Sequence, residues 1–198
     1  MIVAAFDFDG TLTYRDSLLP FLRFMSGSVT FTQNLVRLSP VLFRLAVGMQ
    51  DRQAAKEAFL RRFVAGMPRS NLEEYGRTFA REKIARMLRD EGMKRLKWHQ
   101  QQKHTCILIS ASLDTYLEHW TRLHNFDLLV CSKLEYDSNG CATGMLSGSN
   151  CRGAEKVRRL YDAVGRESIT ELYAYGDSSG DKELLAAADH SFLKKFSE

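Results

Sequence analysis

At 198 residues the chain can form one domain with an inserted segment, and its hydrophobic content of 44% and charged content of 26% are ordinary for a soluble globular protein. No uncharged apolar run reaches the roughly 18 residues that a membrane-spanning helix needs. The four cysteines show neither a disulfide pattern nor zinc-ligand spacing, and the N-terminal residues lack the basic start and cleavage site of a signal peptide. We therefore expect reduced thiols and a cytoplasmic location.

Positive charge is concentrated in one part of the chain. Residues 14–104 carry 18 Lys and Arg against 8 Asp and Glu, whereas the remainder carries 10 against 16, and the whole chain has a net charge of +4. A basic segment joined to an acidic one suggests that the basic part faces anions.

The first predicted element is a buried strand that ends in two carboxylates. Residues 2–6 form a nearly continuous apolar run, which is typical of a strand buried on both faces. Asp7 and Asp9 follow directly, at the end of the strand where open α/β sheets place their chemistry. On a continuing strand both side chains would point to the same face. The structural alternative is a polar strand end before the glycine turn at Gly10.

A helical segment follows this strand. From about residue 17 to residue 102 the apolar residues recur at helical spacing, and Gly and Pro divide them into four or five predicted helices. Residues 30–49 combine eleven apolar residues with Arg37 and Arg44, which suits either an anionic membrane surface or the interior of the segment itself. We favour the interior, because most amphipathic helices pack in a core.

Strands and helices alternate again from residue 105. Strands are predicted at 105–110, 126–130, 171–175 and 190–196, helices at 113–124, 153–164 and 181–188, and a hairpin with an Asn-Gly turn at 134–144. This alternation predicts an α/β fold with a parallel sheet.

Four polar residues at the ends of these elements are candidates for the same site as the first two acids. Asp177 and Asp181 lie on a loop after a strand, and four carboxylates meeting at strand ends would suit Mg²⁺. Ser110 ends another strand, where its hydroxyl and the loop N–H groups are placed to bind phosphate, and Lys156 opens a helix. The structural alternatives are a helix cap for Ser110, a helix-dipole partner for Asp181 and a solvated lysine.

The ordered set of motifs resembles the haloacid-dehalogenase superfamily of phosphohydrolases. The run from Asp7 to Thr11 resembles its first motif, D-x-D-G-T, and the run from Gly176 to Asp181 resembles its fourth, G-D-x-x-x-D. Ser110 and Lys156 stand in order as the second and third motifs. An all-helical insertion after the first motif is similar to the phosphoserine-phosphatase-like branch. The spacing N-x-x-G-x-x-K that ends at Lys156 also resembles that branch.

This resemblance implies a fold and a domain division. The expected fold is a Rossmann-like parallel sheet flanked by helices, with an inserted all-helical cap of the C1 type. Residues 1–13 and 105–198 would form the core domain, and residues 14–104 the cap that closes over the site and selects the substrate.

The resemblance also implies roles for the acids. Asp7 would attack phosphorus and form an aspartyl-phosphate, and Asp9 would protonate the leaving oxygen and then activate water. Asp7, the Asp9 backbone carbonyl and Asp177 would hold Mg²⁺, with Asp181 supporting them.

Further positions are implied to contact the substrate. Ser110, Ala111, Lys156 and Thr11 would bind the phosphoryl group. Asp16 stands nine residues after the nucleophile, where the serine-specific members carry Glu, and would face the substrate.

Two more departures concern the substrate. Gly180 replaces the Asn that the serine-specific members carry before the last acid, and Ser-Ala-Ser at 110–112 replaces Ser-Gly-Gly. These differences weigh against phosphoserine as the substrate but leave the reaction unchanged.

The sequence therefore predicts a Mg²⁺-dependent phosphomonoester hydrolase acting on a small-molecule or lipid phosphate. The alternatives are a phosphotransferase, a phosphatidylglycerophosphate-type lipid phosphatase with peripheral contact to an anionic membrane, and a non-enzymatic module that binds anions or membranes. Nucleic acid is not expected as a partner, because few aromatic residues of the kind that stack on bases are interleaved with the basic ones. The oligomeric state stays open.

Overall fold

A computed structural model describes residues 1–196 of the chain. Its centre is a parallel sheet of five strands in the order β3-β2-β1-β6-β7, and β4 and β5 form a separate antiparallel hairpin. The strands are β1 (Ile2–Phe6), β2 (Thr105–Leu113), β3 (Leu128–Ser132), β4 (Leu134–Tyr136), β5 (Ala142–Leu146), β6 (Glu171–Gly176) and β7 (His190–Leu193). The predicted α/β class with a parallel sheet is confirmed.

Helices flank the sheet on both faces and fill the segment between β1 and β2. They are α1 (Leu18–Arg37), α2 (Ser39–Ala46), α3 (Arg52–Val64), α4 (Arg69–Glu82), α5 (Asp90–Gln101), α6 (Asp114–Leu123), α7 (Ala154–Val164) and α8 (Lys182–Ala186). Within residues 1–196, no helix combines the length and the apolar character needed to cross a membrane.

The core is divided between the two faces of the sheet. In β1, Ala4 and Phe6 belong to the cluster that packs against α6 and the inserted helices, whereas Val3 and Ala5 belong to the cluster around α7 and α8. All four side chains are fully buried, as the apolar run predicted. A strand that is buried on both faces has a fixed register, and so the direction in which its end delivers Asp7 is also fixed.

Several predicted boundaries differ from the structure. β2 continues to Leu113, past the predicted end at Ser110, because its irregular last part still pairs with β3. β3 begins at Leu128 rather than Phe126, since Asn125 has a positive φ of 53° and the chain still turns there. β7 ends at Leu193, earlier than predicted.

The inserted helices α1–α4, here called the insert, pack partly on one another and partly on α6 and the hairpin. α1 is interrupted at Gly27, whose φ of 75° and ψ of 162° are not helical. The amphipathic run at 30–49 serves two surfaces. Leu38 is buried and Phe31 packs against the core, whereas Val36 and Phe43 are 68% and 67% exposed. The predicted interior packing therefore accounts for only part of this run.

α5 contacts the sheet. His99 is buried, and its Nε2 lies 2.9 Å from the hydroxyl oxygen of Tyr175 on β6. Its ring also meets Phe6 of β1 edge-on. The domain boundary at residue 104 stays a prediction, and these contacts favour a boundary before Asp90.

The hairpin approaches α3 closely at Gly144. A Cβ at this position would lie 2.4 Å from the Cα of Arg61, and the φ of Gly144 is +81°. Gly140, in the turn of the same hairpin, has a φ of +73°, and no atom lies within 4 Å of the position that a Cβ would take there.

We expect Gly144→Ala to lower the free energy of unfolding by about 1–3 kcal/mol more than Gly140→Ala, because only the first adds a clash to the backbone strain. Urea unfolding measures both values, and equal losses would contradict the close approach.

Candidate active site

The predicted site residues meet in one cleft at the carboxyl end of the sheet. β1 lies between β2 and β6 in the sheet. The strands that follow β1 in the chain, β2 and β3, lie on one side of it, and β6 and β7 lie on the other. Open α/β sheets form a crevice at such a reversal of strand order, at the carboxyl ends of the strands. The crevice holds a cavity of about 350 Å³. The predicted residues that line it are Asp7, Asp9, Asp16, Ser110, Ala111, Lys156, Asp177 and Asp181.

A buried ion-pair chain lies at the base of the cavity. The Nζ of Lys156 is 2.6 Å from Asp7 Oδ1 and 2.6 Å from Asp181 Oδ1. The three side chains are at most 8% exposed, so water contributes little to their solvation. Lys156 is therefore not a solvated surface lysine, because its charge is matched by two carboxylates.

The second acidic loop is organised around Asp181. Its Oδ2 accepts hydrogen bonds from the backbone N–H of Asp177 at 3.3 Å and of Ser178 at 3.1 Å, and from the Ser178 hydroxyl at 3.0 Å. These bonds fix the turn after β6 and direct the Asp177 side chain toward the first acids. Asp7, Asp177 and Asp181 each bring an oxygen within 4.8 Å of the others. Such an oxygen-only set fits a hard cation such as Mg²⁺.

Gly10 makes room for this acidic group. It has a φ of +79°, and a Cβ there would lie 2.3 Å from Asp177 Oδ2. The glycine is required both by the left-handed backbone and by the close approach of the carboxylate. The first and fourth motifs are thus in direct contact through this residue.

Asp9 points to a different part of the cavity from Asp7. Its Oδ1 accepts the Ser17 N–H at 2.9 Å, and its Oδ2 accepts the hydroxyl of Ser112. Ser17 in turn hydrogen-bonds with the Tyr116 hydroxyl at 2.9 Å. The carboxylate of Asp9 is thereby held in one orientation by two separate segments of the chain.

The Ser110 hydroxyl does not form the helix cap that was the structural alternative for this residue. The Ser110 hydroxyl oxygen accepts the Ser112 N–H at 3.0 Å, and α6 begins only at Asp114. Thr11 is buried beneath the cavity, and its hydroxyl donates to Asp7 Oδ2 at 3.3 Å. Thr11 therefore orients the first acid and does not line the cavity.

Asp16 lies at the mouth of the cavity, but its carboxylate also has a structural partner. Its Oδ1 accepts the N–H of Leu18 at 2.9 Å and of Leu19 at 3.4 Å, which caps the start of α1. This acid therefore stabilises a helix end and also lines the cavity.

Burial shifts the pKa values of these groups in different directions. Burial raises the pKa of Asp7 to about 6, against the lowering effect of the nearby Lys156 charge. Burial, together with the Asp16 charge, raises the pKa of Asp9 to about 8. Burial alone would lower the pKa of Lys156, but Asp7 and Asp181 raise it above its usual range. Burial alone would raise the pKa of Asp181, but the charge and hydrogen bond of Lys156 bring it below its usual value.

Three cations near the site were missed in the sequence: Lys56, Arg152 and Arg15, which lines the cavity. Lys56 on α3 donates its Nζ to the carbonyl of Ala111 and to Asn150 Oδ1, the latter at 3.2 Å, and burial lowers its pKa to about 8. Arg152 lines the cavity and donates to the Ser179 hydroxyl at 2.8 Å. No signal in the sequence separates Lys56 from other helix lysines, because it reaches the site only through the packing of the insert.

The arrangement agrees with what comparisons with known proteins find. A family model described as haloacid dehalogenase-like hydrolase matches residues 4–186. Protein CicA of Caulobacter vibrioides is 33% identical over 195 residues, which covers 98% of this chain and 86% of CicA.

Solved structures share the fold. A protein of unknown function from Bordetella pertussis Tohama I superposes with a TM-score of 0.84 at 23% identity, covering 96% of this chain and 88% of its own. A phosphoserine phosphatase with a phospho-aspartyl intermediate analogue gives a TM-score of 0.69 at 16% identity, covering 97% and 85%.

Proposed function

The chain belongs to the haloacid dehalogenase-like hydrolase family, and we propose that it is a Mg²⁺-dependent phosphomonoesterase that forms an aspartyl-phosphate on Asp7. The observation that carries this proposal is the position of Asp7. Its carboxylate ends the central strand, faces the cavity, and contacts Lys156 beside Asp177 and Asp181. A nucleophile next to a cation and an acidic metal-type site is what phosphoryl transfer through a carboxylate requires.

The first half-reaction transfers the phosphoryl group to the protein. A carboxylate oxygen of Asp7 forms a bond to phosphorus while the bond from phosphorus to the substrate oxygen breaks. Asp9 gives its proton to the departing oxygen, so an alcohol leaves. The raised pKa of Asp9, about 8, supports this role because it lets the carboxyl group carry a proton near neutral pH.

The second half-reaction returns the site to its starting state. Asp9, now ionised, accepts a proton from a water molecule as the water oxygen attacks phosphorus. The bond between phosphorus and the Asp7 oxygen breaks, and inorganic phosphate leaves. The hydrogen bonds from Ser17 and Ser112 keep Asp9 oriented through both steps.

The residues fit a magnesium ion. Asp7, Asp177 and the backbone carbonyl of Asp9 would hold it, with Asp181 orienting the loop that carries Asp177. When bound, the ion would neutralise the charge of the phosphoryl oxygens and lower the repulsion that an anionic nucleophile meets. Lys156 and the Ser110 loop, including Ala111, supply donors for the remaining phosphoryl oxygens.

We propose that the preferred substrate is not phosphoserine. Solved phosphoserine phosphatases share the fold, yet Asp16 here uses one oxygen to cap α1, and Arg152 occupies the space beside Gly180. A Cβ at Gly180 would lie 2.2 Å from an Arg152 guanidinium nitrogen, so a larger residue would displace this arginine. We propose that the insert acts as the cap that selects another small or lipid phosphomonoester.

Phosphate release from a substrate panel tests the proposal. The panel contains phosphoserine, sugar phosphates, nucleotides and phosphatidylglycerophosphate, each assayed with Mg²⁺ and with EDTA. We expect release that falls at least about a hundredfold in EDTA, because the acidic set then lacks its neutralising charge. Equal rates in both conditions would contradict the metal-dependent mechanism.

Product analysis separates hydrolysis from phosphotransfer. The same aspartyl-phosphate would pass its phosphoryl group to an alcohol if an acceptor entered the cavity in place of water. Added glycerol or ethanol would then yield a new phosphomonoester, whereas a hydrolase yields inorganic phosphate alone. We propose hydrolysis in the cytoplasm as the first candidate.

A lipid role has one supporting observation. Exposed apolar side chains concentrate on the first two helices of the insert and the turn after them: Leu19, Val29, Val36, Leu42, Phe43, Val47 and Met49. The charged residues from 17 to 50 are all arginines, which would attract an anionic bilayer. Sedimentation of the Asp7→Asn protein with anionic vesicles tests both peripheral contact and the non-enzymatic alternative.

Lys56 is proposed to act as a positioning residue. It joins α3 to the loop that holds Ser110, so its loss should loosen the closure of the insert over the cavity. We expect Lys56→Met to lower kcat/KM by about tenfold, while the exposed control Lys97→Met changes it less than about twofold. A fall in the Tm of Lys56→Met that the control does not show would indicate a structural role instead.

A further inference from the structure

A second cavity lies in the insert, between α1 and α4, outside the catalytic residues. Its volume is about 600 Å³, within the roughly 300–1,000 Å³ range of ligand pockets. Its apolar lining comes from Leu19, Phe24, Phe31, Leu35, Phe79 and Met87. We call this cavity the insert groove.

The groove exists because α1 is broken. Gly27 has a positive φ of 75°, and the helix changes direction there, so residues before and after the glycine line the same groove. No atom lies within 4 Å of the position that a Cβ would take at Gly27, so this part of the wall is open. An unbroken helix would present one continuous face to α4, and ridges of side chains would fill this space.

Four cations border the apolar lining: Arg15, Arg23, Lys83 and Arg86. None of them forms an ion pair with a carboxylate within residues 1–196, and no Asp or Glu of that range lines the groove. Arg23 donates to the Ser28 hydroxyl, at 3.3 and 3.1 Å, and Lys83 lies 5.4 Å from the centre of the Phe24 ring. Four uncompensated positive charges around an apolar lining form a field that favours an anion with an apolar body.

We propose that the insert groove binds a single-chain anionic amphiphile, with its alkyl chain on the apolar lining and its acidic head among the four cations. The cations select the acidic head and the apolar lining selects the alkyl chain, so a ligand with only one of these parts should bind more weakly. Arg15 lines both the groove and the catalytic cavity, which places one end of the ligand next to that cavity. The inference does not depend on the proposed hydrolysis, because it rests on residues of the insert and of the segments that directly flank α1 and α4.

Calorimetric titration of the Asp7→Asn protein tests the ligand class without turnover. The probes are decanesulfonate, ethanesulfonate and decyl maltoside, each kept below its critical micelle concentration. We expect saturable one-to-one binding of decanesulfonate, at least tenfold tighter than binding of the short anion or the uncharged amphiphile. Equal affinity for ethanesulfonate would overturn the proposal, and so would binding seen only with micelles or anionic vesicles.

Paired variants locate the binding. The double variant Lys83→Glu and Arg86→Glu should weaken decanesulfonate binding at least tenfold. The control pair Lys94→Glu and Lys97→Glu makes the same charge change on exposed positions of α5 and should stay within twofold.

A second pair tests the chain-binding part on α1. Leu35→Ser changes a half-buried groove residue, and Val36→Ser changes its exposed neighbour. Only Leu35→Ser should weaken binding, and circular dichroism verifies that both variants fold. Equal losses within either pair would overturn the assignment to the groove.

Discussion

Replacement of Asp7 by Asn is expected to lower phosphomonoester turnover by more than about ten-thousandfold, because the amide cannot attack phosphorus. Asn keeps nearly the same shape, and the Thr11 hydroxyl still has an oxygen to which it can donate. The loss should therefore appear in kcat and leave the fold intact. The measurement is phosphate release under saturating Mg²⁺, with Tm recorded for the same preparation.

A matched control separates charge from chemistry. Asp162→Asn makes the same substitution on the surface of α7, where the carboxylate pairs with Arg158 at 2.5 Å. We expect that variant to retain turnover within about twofold, because exposed ion pairs contribute little. Turnover by Asp7→Asn close to that of the control would remove Asp7 as nucleophile and with it the aspartyl-phosphate.

Replacement of Lys156 by Met is expected to cost about 3–5 kcal/mol of unfolding free energy in EDTA, because it leaves buried carboxylates without a compensating charge. Lys156 contacts both Asp7 and Asp181, and all three side chains are almost inaccessible to water. The same change should also abolish turnover, since a donor to the phosphoryl oxygens is lost. Urea unfolding with and without Mg²⁺ gives the stability cost and its relief by the cation.

A double-mutant cycle tests the cause of that cost. Adding Asp7→Asn to Lys156→Met removes one of the uncompensated carboxylates, and we expect about 1–3 kcal/mol of the loss to return. The exposed control Lys97→Met should change stability by less than about 0.5 kcal/mol. Strictly additive losses would mean that the short Lys156 contacts carry no electrostatic coupling.

The two predictions concern the part of the molecule that the sequence described best. The apolar run before Asp7 required burial on both faces, and the structure has Val3 and Phe6 fully buried on opposite faces of the central strand. Because parallel strands end at one edge of the sheet, the acids after β1 and β6 had to meet. Within the loop after β6, Asp181 accepts the N–H of Asp177, a bond that the sequence did not predict.

The insert was described less well, because its helices take their surfaces from tertiary contacts. Periodicity predicted helices at 17–102 but not which of them lies on the sheet, and α5 packs there through His99. The amphipathic run at 30–49 has the same pattern whether its apolar face is covered or exposed. Phe31 packs inward while Phe43 is 67% exposed, and composition cannot distinguish the two.

The sequence by itself determined the sheet class, the acidic strand ends and the order of the motifs, since these depend on local apolar runs and on spacing within a few residues. Only the tertiary structure decided that Lys56 reaches Ala111 and that α1 and α4 leave a cation-lined groove. Those features join residues that are distant in the chain. Their distances follow from how helices pack, and a helix of given periodicity can pack in several ways with similar energy.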